Sequence, residues 1–172
     1  MTEKYSEKFE KAFEYVIHNE KGYVFDPDDL GGETKYGICK RSYPSLDIKN
    51  LTIEKAKEIY YRDFWMKGKF EQIPDIKLAV QLFDFSVNSG IRAGIKLLQR
   101  AIRAGGINTQ DDGIFGSQTL SGVKNSEPRI LSAALKSEAA GYYRYLVAKN
   151  PKLQKFLNGW LNRAYRKIEM EV

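Results

Sequence analysis

The sequence predicts a mostly helical chain of the α+β class with one small β element near its N-terminal end, and three observations carry that prediction. Apolar residues recur at helical spacing through most of its 172 residues. Only the stretch from Tyr23 to Ile38 alternates aromatic and β-branched residues with turn residues such as AspPro and GlyGly. A composition of 42% hydrophobic and 29% charged residues lies in the range of folded globular proteins, so a buried core is expected.

Each element follows from local signals. Phe9, Phe13, Val16 and Ile17 predict a first helix from about Ser6 to about Lys21, with Gly22 as its left-handed stop and Glu20 in its last turn. The segment from Tyr23 to Ile38 suits a small irregular hairpin or loop. Thr52 is a good N-cap for a second helix with Ile53, Ala56, Ile59, Tyr60 and Phe64 on one face, ending near Gly68. The next, from about Asp75 to Asn88, is apolar almost all round, as a buried central helix must be. After Gly90, residues Ala93, Leu97, Leu98, Ala101 and Ile102 mark an amphipathic helix that AlaGlyGly at 104–106 stops. DDGIFGSQTL, from Asp111, reads as a turn followed by a short helix. Ser126 and Pro128 open a long helix that ends before AsnPro at 150 and 151, and Phe156, Trp160, Leu161, Tyr165 and Ile168 mark a last one. A seam between Ser89 and Gly106 divides the chain into regions 1–91 and 92–172, expected to pack into one compact unit.

Charge and rare residues exclude several function classes. A formal charge of +6 attracts polyanions, which could be nucleic acid, an anionic membrane face or an acidic wall polymer. The 28 Lys and Arg interleave with 22 acids and form no dense basic block, which argues against nucleic-acid binding. No stretch approaches a membrane span, so membrane insertion is not expected. Cys39 is the only cysteine and His18 the only histidine, which removes an internal disulfide and a histidine-rich zinc site. The N-terminal segment lacks the apolar core of an export signal, so the chain is expected to be made without one.

HNEKGYVFDPDDLGGETKYGI, residues 18–38, gathers Glu20, Asp26, Asp28, Asp29 and Glu33 into one glycine-interrupted stretch. Cleaving a glycosidic bond needs an acid to protonate the leaving oxygen and usually a second carboxylate. A carboxyl at a helix C-terminus meets the negative end of the helix dipole, which disfavours its charged form, and Glu20 has that placement. Asp26, Asp28 and Asp29 sit where turn amides and solvent keep carboxylates ionised, although capping the turns is the commoner role for such aspartates. Asp26, Asp28 and Gly31 fit three positions of a calcium loop, but Leu30 and Gly37 stand at ligand positions, so no metal or other cofactor is expected.

The motif EKGYVFDPDDLGGETKYGI resembles the EGGYxxDPxDxGGxTxxGI block of the glycoside hydrolase family 108 muramidases, a lysozyme-like group. IYYRDFW from Ile59, LFDFSVNSG from Leu82, LLQRAI from Leu97, DDGIFGSQTL and FLNGWLNRAY from Phe156 are similar to the family's other blocks in the same order. The resemblance implies a lysozyme-like helical fold with a β-hairpin beside the catalytic Glu, and hydrolysis of the β-1,4 bond between N-acetylmuramic acid and N-acetylglucosamine in peptidoglycan. It implies Glu20 as the catalytic acid and, from a spacing of nine residues similar to phage-type lysozymes, Asp29 as the second carboxylate, with Asp26 as rival. Thr34 could position water, one residue short of the threonine in that spacing. Lys21 departs from the family's usual glycine.

Further substrate contacts are expected from Asp26, Tyr36, Tyr61, Trp65, Asp84 and Asn88. Tyr61 and Trp65 lie one helical turn apart and are candidates for a cleft wall, against the commoner role of core aromatics. Asp84 and Asn88 share one face of an apolar helix, where they either form an internal network or bind the N-acetyl groups of substrate. The region after Arg92 resembles the family's peptidoglycan-binding part, in which the DDGIFG turn either contacts the wall or merely packs. The expected partner is peptidoglycan and the expected state a monomer. It would act in the periplasm or wall after release or dedicated export. Alternatives are a lytic transglycosylase and a catalytically silent wall-binding or secretion-assisting protein.

Overall fold

Helix signals written into the sequence reappear as helices in the computed structural model, which describes residues 4–20, 22–25 and 32–169. These fall into two units, residues 1–67 and 68–172. The unit boundary lies upstream of the seam that the sequence suggests at 91/92.

In the first unit, α1 (Glu7–Asn19) starts at Ser6, whose hydroxyl accepts the Phe9 amide at 3.2 Å, and ends with Glu20 as an extended C-cap. The small sheet has three antiparallel strands in the order β1 (Val24–Phe25), β2 (Glu33–Lys35) and β3 (Ile38–Cys39). The helix expected after Thr52 is present to residue 68: α2 (Ile53–Tyr60), capped by the Thr52 hydroxyl, runs into a segment that the sequence does not announce, the π-helical Tyr61–Met66. That widening changes which aromatic turns inward. At α-helical pitch Phe64 would share the buried face with Tyr60; the wider turn puts Trp65, five residues on from Tyr60, into the core instead. Tyr60 and Trp65 are both 0% exposed and pack on Phe13 and Phe9, with ring centroids 5.8 and 5.5 Å apart. Burying each such aromatic contributes about 2 kcal/mol, so this cluster holds α1 to α2.

Every element among the described residues of the second unit is helical: a 3-10 turn (Phe70–Gln72), α3 (Ile76–Ser89), α4 (Ile91–Ala104), α5 (Ser117–Lys124), α6 (Pro128–Lys149), a 3-10 turn (Pro151–Leu153) and α7 (Gln154–Tyr165). Asp75 caps α3 by accepting the Leu78 amide at 2.7 Å, and α3 is buried on nearly every side, as its composition predicts. Neighbours α4 and α6 cover it, and α7 packs on α6. Glu127, not Ser126, supplies the cap of α6, accepting the Ile130 amide. The last helix stops at Tyr165, short of Ile168.

Candidate functional site

Glu20 leaves the helical conformation at the end of α1 (φ −89°, ψ 139°), its amide still donating to the Ile17 carbonyl at 3.2 Å. This turn sends the chain out of the helix and into the sheet, and it leaves the half-buried Glu20 side chain against the β2–β3 hairpin. That hairpin is tight. Lys35 pairs with Ile38, so only Tyr36 and Gly37 make the turn, and both have positive φ, 52° and 73°. Positive φ at both central residues is the pattern of a type I′ turn, whose twist matches the flanking strands.

Glycine suits the second turn position; tyrosine at the first carries backbone strain of about 1 kcal/mol or more. The Tyr60 hydroxyl compensates by donating to the Tyr36 carbonyl at 2.8 Å. The same corner holds the acid. A methyl group on Gly37 would lie 2.5 Å from the Tyr60 hydroxyl and 3.1 Å from both Cδ and Oε2 of Glu20. Gly37 is therefore required twice, by its φ and by the carboxyl seated over it. In the sequence, Gly37 stands out only as part of the glycine-interrupted motif and Tyr60 only as one of a run of helical aromatics, so neither announces this contact. The TyrGly pair next to an alternating segment is the signal that could have found the turn.

The remaining residues singled out from sequence divide clearly. Thr34, half-buried in β2, lies between Val24 and Cys39 in the sheet register, on the strand that feeds this turn. Tyr36 is half-buried, with the Lys35 ammonium 5.4 Å from its ring centroid. Asp26, Asp29, Asp28 and Lys21 lie outside the described residues. Trp65 corrects the cleft-wall expectation, because a side chain with no exposure cannot stack on a sugar ring. Tyr61 packs edge-on against Tyr5 and Phe9, at 4.8 and 4.9 Å, while staying half-exposed. Near it, Asp63 is held well below the usual carboxylate range by the guanidinium of Arg62, with Lys67 and the Tyr43 hydroxyl adding to the effect. Burial, together with Asp63, pushes the Tyr43 hydroxyl up to about 12.

Asp84, buried, and Asn88, exposed, each tie α3 to another helix within the second unit. Asp84 accepts from Arg163 Nε at 3.1 Å and from its Nη2 at 2.9 Å, both side chains being largely buried, so α3 is pinned to α7. Asn88 donates to the Tyr143 hydroxyl at 2.9 Å and ties α3 to α6. Arg163 was not foreseen, since nothing local links residues 79 positions apart. The DDGIFG turn also spends its polar groups internally. Buried Gln99 donates to Asp112 at 2.8 Å and to Thr119 at 3.0 Å, and accepts the Gly113 amide at 2.9 Å. Asp111 pairs with Arg100 and Arg103. This favours packing over wall contact for the turn.

Known families divide the chain between residues 90 and 93, downstream of the structural boundary at 67/68, so α3 falls in the first matched region and in the second structural unit. Residues 13–90 match the family model "Glycosyl hydrolase 108" and residues 93–165 match "Predicted Peptidoglycan domain". A solved structure, that of Brucella abortus SagA, is similar over 91% of this chain and 88% of its own, with 26% identity and a TM-score of 0.76. A search of curated protein sequences finds no significant match. The lysozyme-like α+β class expected from the sequence accords with these matches.

Proposed function

We propose that this chain, which carries a glycosyl hydrolase 108 domain followed by a peptidoglycan domain, is an N-acetylmuramidase that uses Glu20 as its general acid. One observation carries the assignment: Glu20 caps α1 beside the strained Tyr36–Gly37 turn, with its carboxyl seated within van der Waals reach of the turn backbone. A general acid must hold one orientation while the leaving oxygen takes its proton, and a carboxyl packed on a rigid corner meets that requirement.

In this reading the strand of alternating N-acetylmuramic acid and N-acetylglucosamine lies along the sheet. Glu20 protonates the glycosidic oxygen, and Asp29 is the second carboxylate that stabilises the oxocarbenium-like transition state or handles water. Thr34 and Tyr36, on and just after β2, border the same corner and serve substrate positioning. The helical second unit supplies attachment to the wall.

Digestion of purified sacculi, with mass analysis of the fragments, tests the proposal. The expected result is new reducing ends at N-acetylmuramic acid, and a Glu20→Gln protein that keeps its fold while losing about 10²-fold or more of the rate. Anhydro ends would assign a transglycosylase instead. Retention of wall binding without any cleavage would reduce the protein to a binding module.

A further inference from the structure

A groove of about 630 Å³ runs between α4 and α6, far larger than a packing defect and in the range of small-ligand sites. Its lining combines three kinds of chemistry. Lys96 and Arg100 contribute cations from α4, Glu138 one carboxylate from α6, and Tyr142 and Tyr145 aromatic faces. Arg100 gives its Nε to Asp111, which leaves other guanidinium N–H groups to face a ligand. Among the described residues, neither Lys96 nor Glu138 is held in an ion pair. Tyr145 is 56% exposed, with the Lys149 ammonium 5.7 Å from its ring centroid, so its aromatic face stands open beside a third cation.

Gly141 gives an independent indication. It stands inside the 22-residue helix α6, where glycine costs about 1 kcal/mol relative to alanine. Its φ is not positive, and a Cβ added there would meet nothing within 4 Å. Neither backbone conformation nor packing needs a glycine at this position. Gly141 lines the groove beside the tyrosines and the cations, where any large side chain would take up ligand space.

We infer that this groove binds the peptide stem of peptidoglycan, taking stem carboxylates on Lys96 and Arg100 and the stem amine on Glu138. The inference rests on the reading of the chain as peptidoglycan-directed and names the part of the polymer that the second unit grips. The glycan backbone is uncharged apart from its lactyl groups, which the stem caps as amides, so two cations and a carboxylate in one groove have little to answer in it. A stem carrying several carboxylates and one amine matches them in sign. The tyrosines cover its aliphatic stretches.

Titration of the full chain with an N-acetylated tetrapeptide stem ending in D-Ala and containing a diamino acid, which keeps the single free amine of the wall-linked stem, followed by tyrosine fluorescence and by amide shifts, tests this. The stem has no glycosidic bond, so its binding is measured whether or not the protein cleaves glycan. Saturable binding with Kd of about 1 mM or tighter is expected, weakened about tenfold or more by Lys96→Glu and by Gly141→Phe. Gly141→Ala should bind as the parent does, because a methyl group leaves the groove open. Lys96→Glu alters an accessible side chain and keeps the test alive if Gly141→Phe disturbs the helix. Equal binding by Lys96→Glu and the parent overturns the inference. So does saturation by glycan strands stripped of stems in place of the peptide, or saturation by neither.

Discussion

Two glycines, one in each unit, do opposite jobs. Gly37 sits where there is no room: its φ is positive, and the Tyr60 hydroxyl and the Glu20 carboxyl close on the space a Cβ would take. Gly141 sits in an ordinary helix with open space before it. The difference teaches that glycine can mark a site in two ways. In the first unit it lets the backbone approach the Glu20 carboxyl, the proposed acid, and in the second it lines the groove proposed for the stem.

The sharpest way to break the comparison is Gly37→Ala. It forces an L-residue into the left-handed region and drives a methyl into the corner, so a loss of about 1–3 kcal/mol is expected in denaturant melts. Sacculus cleavage should fall further than stability alone explains, because Glu20 must move. Parent-like cleavage by a folded Gly37→Ala protein would show that the corner does not hold the acid.

Next in size is Tyr60→Phe, which removes the donor to the Tyr36 carbonyl while keeping the buried ring. About 1 kcal/mol should be lost, with cleavage reduced at temperatures well below the melt. Tyr60→Phe that changes stability but not the cleavage rate would separate the turn from the chemistry.

The third prediction concerns pH. The folded Tyr43 hydroxyl is raised to about 12 from an ordinary value near 10, so it binds its proton more tightly in the folded chain. Its contribution is fully present below about pH 10 and is lost as pH rises toward about 12. Because Tyr43 is only partly buried, solvent screening cuts the effect to on the order of 1 kcal/mol. Tyr43→Phe should flatten the alkaline limb of stability against pH, and an unchanged limb would assign the loss to other groups. Asp63 acts at the other end of the scale: its depressed carboxyl stabilises above the ordinary carboxylate range, and that contribution is lost as pH falls below it.

Smallest is Gly141→Ala, expected to raise stability by about 0.5–1 kcal/mol in a thermal melt. A destabilised Gly141→Ala protein would mean that the helix needs the glycine after all.

Much of the fold was legible in the chain because its signals are local. The cap at Thr52, the helix starts near Ser6 and Asp75, the stop at AlaGlyGly and the all-round apolar face of α3 each act within one or two turns of helix, so periodicity and capping chemistry locate them. The placement of Glu20 at the end of α1, and the alternation that feeds the small sheet, were equally visible. Long-range and conformational facts were not. A π-helical widening moves Trp65 from an expected cleft wall into the core, and periodicity at 3.6 residues cannot register a turn that takes five. The clamp of Tyr60 on Tyr36, the Asp84–Arg163 pair and the groove around Gly141 join residues distant in sequence. Local free energies chose the elements, whereas side-chain partners across the fold exist only once those elements have packed.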